Sequence, residues 1–224
     1  MRRAIVGRAF RRLAGMDAHD IDRFFATLQA ANPHPVTELE YTSVFELLAA
    51  VLLSAQATDV GVNKATRRLF PVANTPEQIL ALGLEGLEGY IRTIGLYRSK
   101  ARHLMAACRI LVEQHGGAVP RTREALQALP GVGRKTANVV LGNAFDIPSG
   151  IVVDTHVSRL SNRLGWVKGT EPVAIENRLK EFVPEQNWIK LSHELIFHGR
   201  QICKARRPLC EKCFLFEHCP KKGV

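Results

Sequence analysis

The sequence lacks long hydrophobic segments, and this lack excludes most membrane proteins. Its longest apolar run, Val44 to Leu53, is interrupted by Glu46 and is far shorter than the roughly 20 residues that a membrane-spanning helix needs. The arginine-rich start is followed by neither a sustained apolar stretch nor a cleavage pattern, so no secretory signal is predicted. We therefore expect a soluble intracellular protein with no membrane partner, which in a prokaryote would be cytoplasmic and associated with the nucleoid.

Acidic residues are absent from the first 16 positions, and the charge of the chain is unevenly distributed. Residues 1–16 carry five arginines, residues 199–224 carry seven basic and two acidic side chains, and residues 17–198 carry 19 of each sign. The formal net charge of +10 therefore comes from the two ends. Such concentrated charge favours a polyanionic partner, because neutralising phosphates releases condensed counterions. Two solvated tails explain the charge equally well, and a transit peptide is a further interpretation of the start.

The chain of 224 residues is long enough for one large or two small domains, and its 46% apolar and 23% charged residues are typical of globular proteins. Apolar residues recur with helical spacing almost throughout. The first such set is Ile21, Phe24, Phe25 and Leu28. Residues 151–153 are strand-like, but no second β-rich run could pair with them. The sequence therefore predicts an all-α protein of roughly ten short helices.

Capping residues predict where several of these helices begin and end. Thr75 followed by Pro76 is typical of a helix start, and Thr122 predicts another. Ser99 predicts the start of a helix that ends at Gly116-Gly117, since glycine favours the left-handed conformation that closes a helix.

Four of the five cysteines form a C-x6-C-x2-C-x5-C run near the end of the chain. They are Cys203, Cys210, Cys213 and Cys219. Four thiolates so close repel one another unless a cation neutralises them, so we expect a metal centre rather than a disulfide framework. Thiolate sites of this kind suit zinc or an iron–sulfur cluster, and the spacing leaves both open, with zinc slightly favoured. The fifth cysteine, Cys108, lies on an apolar helix face and is expected in the core.

Three cations, Lys204, Arg206 and Arg207, lie between the first two cysteines of this run. A loop that a metal closes at both ends loses little entropy when its cations contact phosphates. We therefore expect this loop to bind a nucleic-acid backbone.

The segment Leu129–Lys135 predicts a tight turn between two helices. Gly131 and Gly133 permit positive φ and close backbone approach, and the second helix is expected to begin near Arg134. Backbone N–H groups at such a helix start form an anion site, which fits a DNA phosphate. Most Gly-x-Gly turns only join helices, so the turn alone is weak evidence.

Lys135 and Asp154 are candidates for catalysis. The helix dipole and Arg134 disfavour the charged form of Lys135, and partial burial would add to this effect, so its amine could act as a nucleophile. The alternative is an ordinary solvated lysine. Asp154 precedes another helix, where it is expected to be the N-cap, and a carboxylate fixed there could also stabilise positive charge or move a proton.

Four motifs in this order resemble the endonuclease III family of helix-hairpin-helix DNA glycosylases. They are Leu52–Asp59, the glycine turn with Lys135–Val140, Val153–His156 and the four-cysteine run. The resemblance implies two helical lobes flanking a DNA-binding cleft. One lobe is a six-helix barrel over residues 37–147 with the hairpin motif at about 123–145, and the other joins residues 1–36 and 148–224 around a [4Fe–4S] cluster in the loop 203–219. It thereby favours iron over zinc.

The resemblance also implies the chemistry. A monomer would bind double-stranded DNA that contains damaged bases or abasic sites, flip the damaged nucleotide out and remove oxidised pyrimidines. Lys135 would attack the sugar, form a Schiff base and cleave the strand by β-elimination, while Asp154 assists. Gln56 and Leu96 match positions that fill the hole left by the flipped base, with a helix-end amide and a core leucine as the alternatives, and His156 matches a pocket position.

One departure and three rival functions accompany this resemblance. The Lys135–Asp154 interval is about one residue longer than the family pattern, with Ser149-Gly150 the expected insertion, which affects substrate preference more than the reaction. An adenine or thymine mismatch glycosylase would lack lysine at position 135. A non-catalytic module that binds damaged DNA would not need Lys135 and Asp154 together.

Overall fold

The computed structural model describes residues 18–32 and 37–224, and these residues form helices joined by turns and loops. No β-strand occurs within these two ranges, which confirms the predicted all-α class. The α-helices of these ranges are α1 (Ala18–Ala31), α2 (Val44–Ser54), α3 (Asp59–Leu69), α4 (Pro76–Ile91), α5 (Tyr97–His115), α6 (Arg123–Gln127), α7 (Arg134–Phe145), α8 (Thr155–Arg163), α9 (Pro172–Lys180) and α10 (Trp188–Gln201). Short 3₁₀ helices lie at Glu185–Asn187, Cys210–Lys212 and Phe216–His218. The arginine-rich residues 1–16 and the side chains of Ile21 and Phe24 lie outside the described part of the chain.

The chain packs as two units, and each has its own cluster of buried apolar side chains. One unit, Thr37–Ser149, contains α2 to α7. The other joins the described part of Met1–Val36 to Gly150–Val224 and contains α1 and α8 to α10. No helix of the described ranges is long and apolar enough to cross a membrane.

Helix α2 lies at the centre of the first core because it is apolar on all sides. Every residue from Phe45 to Leu53 is buried, and α2 packs against α3, α5 and α7. Its one charged residue, Glu46, belongs to the helix start. Ser43 accepts a hydrogen bond from the Glu46 N–H, and the Glu46 carboxylate accepts bonds from the backbone and hydroxyl of Thr42. This arrangement is a variant of the capping box.

The helix ends predicted from capping residues are confirmed at three positions and wrong at one. Thr75 and Thr122 cap α4 and α6 through their hydroxyl oxygens, and Gly116 ends α5 with a φ of 57°. The predicted start at Ser99 is wrong, since α5 begins two residues earlier at Tyr97. The physical reason is that Leu96 adopts the left-handed conformation and so ends the preceding turn.

Candidate metal centre and nucleic-acid interface

The turn between α6 and α7 depends on one glycine. Leu129 and Val132 are buried, and the Val132 N–H donates to the Leu129 carbonyl at 3.0 Å. Gly131 has a φ of 81°, and a Cβ atom there would lie 2.9 Å from Cβ of His103 on α5. Both the backbone angle and the close approach of α5 therefore require glycine at position 131.

Gly133 is the N-cap of α7 and leaves the start of that helix open. The helix begins at Arg134, as the sequence predicts, and its first backbone hydrogen bond joins the Ala137 N–H to the Gly133 carbonyl at 3.0 Å. Gly133 has no side chain to cap the helix, and a Cβ atom there would meet nothing within 4 Å. Because the first N–H groups of a helix lack intrahelical acceptors and carry partial positive charge, this turn can accept an anion.

Lys135 lies in the first turn of α7. Its side chain is exposed, whereas Arg134 and Thr136 on either side are half-buried. The partial burial considered from the sequence is therefore not present. The amine is instead accessible to a macromolecular partner that reaches the start of α7.

Gln56 and Leu96 share an unusual backbone conformation. Their φ angles are 54° and 60°, in the left-handed region that favours glycine. Gln56 follows the end of α2, Leu96 precedes α5, and both side chains are exposed, that of Leu96 by 62%. The alternative interpretation of Leu96 as a core residue is therefore wrong. Strained non-glycine residues of this kind concentrate at functional sites.

Asp154 is the N-cap of α8, as predicted. Its Oδ1 atom accepts hydrogen bonds from the backbone N–H groups of His156 and Val157, both at 2.8 Å. Because both bonds use Oδ1, the cap leaves Oδ2 for other groups. The segment before it is fixed as well, since the Val152 N–H donates to Ser192 Oγ of α10 at 2.9 Å. The carboxylate is therefore half-buried and preorganised.

His156 is held between α8 and α10 by Arg159. The Arg159 guanidinium lies 3.1 Å from Nδ1 of His156 and also donates to the carbonyl oxygens of Gly199 and Cys203. Since arginine is a donor only, Nδ1 accepts and the imidazole proton lies on Nε2. Gly199 is required here, because a Cβ atom would lie 2.8 Å from Cβ of His156.

The four predicted cysteine ligands line one apolar pocket, together with Arg163 and His198. All four are free thiols. Burial raises the pKa of Cys213 and of Cys219, and the charges of the neighbouring cysteines raise it further, so a cation beside these two sulfurs would favour their thiolate forms. In the described ranges, no three His, Cys, Asp or Glu side chains converge as ligands of a single metal ion. The chemistry of four cysteine sulfurs fits an iron–sulfur cluster and also fits a structural zinc ion, so the donor set alone does not decide between them.

Two buried donors to these sulfurs were missed by the sequence analysis. Arg163 Nη1 donates to Cys203 Sγ at 3.3 Å, and His198 Nε2 lies 3.4 Å from Cys213 Sγ. Burial lowers the pKa of His198 to about 4. The sequence does contain a signal for Arg163. This arginine lies four residues after Arg159, next to the buried Leu160 and Leu164, on a helix face where a charged side chain needs a partner.

Three exposed cations lie in the segment between Cys203 and Cys210, here called the cluster loop. Backbone hydrogen bonds close this loop. The N–H groups of Lys204 and Leu209 both donate to the Ile202 carbonyl, at 2.9 and 3.0 Å. Lys204, Arg206 and Arg207 are exposed between these two bonds. The predicted site residues thus fall in both units: the glycine turn, Lys135, Gln56 and Leu96 in Thr37–Ser149, and the others in Gly150–Val224.

Two family models match the chain. A model described as HhH-GPD superfamily base excision DNA repair protein matches residues 49–185. A model described as the iron-sulfur binding domain of endonuclease III matches residues 203–219, the four-cysteine run. The second match confirms the predicted iron–sulfur cofactor, the [4Fe–4S] cluster, and decides between iron and zinc.

Similar proteins carry the same name. Endonuclease III of Haemophilus influenzae is 56% identical and that of Escherichia coli 55% identical, each over 195 residues that cover 87% of this chain and 92% of the relative. Among solved structures, a trapped endonuclease III–DNA covalent intermediate is 44% identical with a TM-score of 0.86, covering 92% of this chain and 97% of that one. This chain therefore belongs to the endonuclease III family of base excision repair DNA glycosylases.

Proposed function

We propose that this chain is a bifunctional DNA N-glycosylase and AP lyase. It removes oxidised pyrimidines of the thymine glycol type from double-stranded DNA and then cleaves the strand at the abasic site, acting as a monomer. The observation that carries the proposal is Lys135, an exposed primary amine in the first turn of α7, beside an uncapped helix start. Relatives solved as endonuclease III–DNA complexes support DNA as the partner.

The DNA backbone binds at two places in this proposal. A phosphate lies against the start of α7, where Gly133 provides no side-chain cap and Gly131 shapes the turn. A second contact uses the exposed Lys204, Arg206 and Arg207. Phosphate contacts fix the register of the protein on the duplex without reading sequence, as a repair enzyme that scans DNA requires.

The damaged nucleotide is flipped out of the duplex, because a stacked base shields the sugar carbon that is attacked. Gln56 and Leu96 fill the hole that the base leaves. Their exposure and left-handed backbone support this role, since both side chains are accessible to DNA and residues in this conformation concentrate at functional sites.

Lys135 performs the covalent chemistry. Its neutral amine attacks C1′ as the bond from C1′ to the damaged base breaks, and one amine proton leaves with the base. The second amine proton passes to the ring oxygen as the sugar ring opens, which gives an imine between Nζ and C1′. The imine acidifies the proton on C2′; water takes up this proton, and the C3′–O bond breaks to release the phosphate on the 3′ side.

Asp154 and His156 act from the start of α8. Asp154 acts through Oδ2, which the N-cap bonds do not use, and its carboxylate stabilises positive charge on the sugar. His156 donates through Nε2 to the flipped base, because Arg159 fixes its tautomer. The cluster, when bound, supplies covalent links that close the loop 203–219, and it takes no part in these steps.

A monofunctional mismatch glycosylase is the main rival. A thermostable thymine-DNA glycosylase shares the fold with a TM-score of 0.78 at 25% identity, so the fold alone does not separate the two. Lys135 favours the bifunctional enzyme, because the resemblance implies that monofunctional relatives lack lysine at this position.

Borohydride trapping tests the proposal. We expect reduction to link the wild-type protein covalently to duplexes containing thymine glycol or an abasic site, and Lys135→Ala to abolish the linked species. Lys168→Ala, which removes an exposed lysine from the loop after α8, is the matched control and should trap like the wild type. Absence of a wild-type adduct, or its persistence in Lys135→Ala, would overturn the lysine mechanism.

The same assay separates the two functions of Asp154. Asparagine is as good an N-cap as aspartate, so Asp154→Asn should keep the thermal stability of the wild type, whereas Asp154→Ala should lose about 1 kcal/mol. Both variants should trap at least about tenfold more slowly, because neither carries a carboxylate. Wild-type trapping by Asp154→Asn would restrict Asp154 to a structural role.

A further inference from the structure

Two cysteine ligands of the iron–sulfur centre receive a hydrogen bond from a buried side chain. Cys203 Sγ accepts from Arg163 of α8 at 3.3 Å, and Cys213 Sγ lies 3.4 Å from Nε2 of His198 of α10. The donors are 8% and 3% exposed, so water competes little for either bond. Lys221 adds a backbone N–H to Cys219 Sγ at 3.4 Å.

Arg163 binds the start of the cluster loop at three consecutive residues. Besides the Cys203 sulfur, its guanidinium donates to the carbonyl oxygens of Lys204 at 2.7 Å and Ala205 at 3.1 Å. A buried guanidinium is costly unless its donors find acceptors, and here Nη1 and Nη2 donate to the loop and to the Cys203 sulfur. The rigid fork of arginine suits this task, which a lysine ammonium cannot reproduce.

His198 has a simpler environment. Its ring packs edge-on against Phe214, with centroids 4.9 Å apart, and this contact fixes the direction of Nε2. A thiolate bound to iron is an acceptor only, so the Nε2 atom must carry the proton.

We infer that Arg163 and His198 are positioning residues of the iron–sulfur centre, which hold Cys203 and Cys213 as ligands and set the reduction potential of the cluster. The inference depends on the iron–sulfur cofactor and is independent of the proposed lysine chemistry.

The direction of the effect follows from electrostatics. When the cluster takes up one electron, the added negative charge spreads onto the ligand sulfurs. An N–H donor stabilises that charge, so its loss makes the reduced form less stable and lowers the potential. Hydrogen bonds to charged groups contribute enough to change the equilibrium between the two charge states by about tenfold.

The two residues differ in a way that permits a test. His198 contacts the centre through one sulfur, so its substitution should change the potential and leave the loop 204–209 in place. Arg163 binds a sulfur and two loop carbonyls, so its substitution should change both the reduction potential and the position of the loop.

The decisive experiment compares His198→Phe with His198→Gln in the full-length protein purified without oxygen. Phenylalanine keeps the ring beside Phe214 but has no donor, and glutamine retains an N–H that can reach the sulfur. Iron and acid-labile sulfide are measured first, and the potential is then measured by voltammetry. We expect both variants to load the cluster and His198→Phe to shift the equilibrium by about tenfold towards the oxidised form, about 59 mV for one electron. His198→Gln should remain near the wild type.

The other possible outcomes also support or overturn the role of His198. Failure of His198→Phe alone to load the cluster supports the ligand-holding role. Equal potentials in both fully loaded variants, or equal failure to load, would overturn the role of the donor. Borohydride trapping by the same variants is an independent readout, so a failed lysine mechanism would be distinguishable from this result.

Arg163→Lys and Arg163→Gln test the loop. Lysine keeps the charge but not the fork, so its potential should stay nearer the wild type, while amide hydrogen exchange at 204–209 accelerates. Glutamine should show both the faster exchange and the lower potential. If amide hydrogen exchange at 204–209 is unchanged in both variants, Arg163 does not hold the loop and is not a positioning residue.

Discussion

Among single residues, Leu96 combines two properties that folded proteins normally avoid together. Its large apolar side chain is 62% exposed, and its backbone has a φ of 60°, which costs an L-residue roughly 1–2 kcal/mol. Packing inside the unit cannot repay this cost, because so little of the side chain is buried. The rest of the fold therefore bears this cost, as is common at functional sites, and insertion into the proposed hole in the duplex is such a function.

Leu96→Gly should therefore separate stability from activity. Glycine removes the left-handed strain at a smaller cost in chain entropy, so the free energy of unfolding should rise by about 0.5–1 kcal/mol. Excision of the damaged base should fall by about tenfold or more, because the apolar group that enters the duplex is lost. Thermal unfolding and single-turnover kinetics measure the two effects. Leu96→Ala is the control: it should lose activity without becoming more stable, and normal excision by both variants would contradict the role.

The position of Leu96 in the motif was predictable from the sequence, but its backbone was not. Nothing in the letters Ile94–Tyr97 indicates positive φ at a leucine, and the serine three residues later is a better helix cap by propensity. Capping propensity therefore predicted the wrong start for α5, because Leu96 adopts a backbone conformation that is unfavourable for leucine. Such disagreements are common at functional sites.

At the scale of helices, sequence and structure agree at three starts that a side-chain cap fixes. Thr75, Thr122 and Asp154 cap their helices because a side-chain oxygen reaches an N–H group two or three residues on. These contacts lie within one turn, so the sequence contains all the information they need.

The two glycines of the hairpin should respond differently to alanine. Gly131→Ala forces a left-handed alanine and a contact of 2.9 Å with His103, so it should destabilise the protein by about 2 kcal/mol or more. Gly133→Ala meets nothing within 4 Å and should cost less than about 1 kcal/mol. The methyl group at 133 nevertheless enters the open side of the helix start, so DNA affinity should fall. Chemical denaturation and equilibrium binding measure both effects, and unchanged DNA binding by Gly133→Ala would exclude a phosphate at this turn.

Helix α10 contains a buried carboxyl group that should make stability depend on pH. Burial raises the pKa of Glu194 to about 7, although Lys190 partly offsets this effect. Because the pKa in the folded state lies above that of the unfolded chain, its contribution to stability is complete below pH 4.5 and is lost as pH rises through 7. Glu194→Gln should therefore raise the unfolding midpoint at pH 8, by the equivalent of about 1–3 kcal/mol, and change it little near pH 4.5.

A second buried glutamate in the same unit provides the control. Glu176 pairs with Lys180 at 3.1 Å, so Glu176→Gln breaks an ion pair and should lower the midpoint at pH 8. Thermal melts of the three proteins at both pH values distinguish the cases. Equal stabilisation of Glu194→Gln at pH 4.5 and pH 8 would show that its carboxyl group is not the titrating group.

For the whole molecule, the sequence predicts the four candidate cysteine ligands but does not predict their surroundings. The ligands lie within 17 residues, where spacing is informative. Arg163 and His198 reach them across 40 and 15 residues, through the packing of α8 and α10. An arginine on an apolar helix face is a recognisable signal, but its partner depends on which loop folds over it.

The charge of the whole chain leads to the last prediction. The net charge is concentrated at its ends, and the exposed Arg206 and Arg207 belong to the C-terminal excess. If they contact phosphates, the double variant Arg206→Glu/Arg207→Glu should weaken DNA binding and reduce the slope of log affinity against log salt by about two. Lys168→Glu, an exposed charge reversal outside the cluster loop, should leave the slope unchanged. Fluorescence titrations over a range of salt concentrations measure it. Equal slopes in the wild type and the double variant would mean that the loop is a solvated surface, and the phosphate contacts would then have to come from other cations.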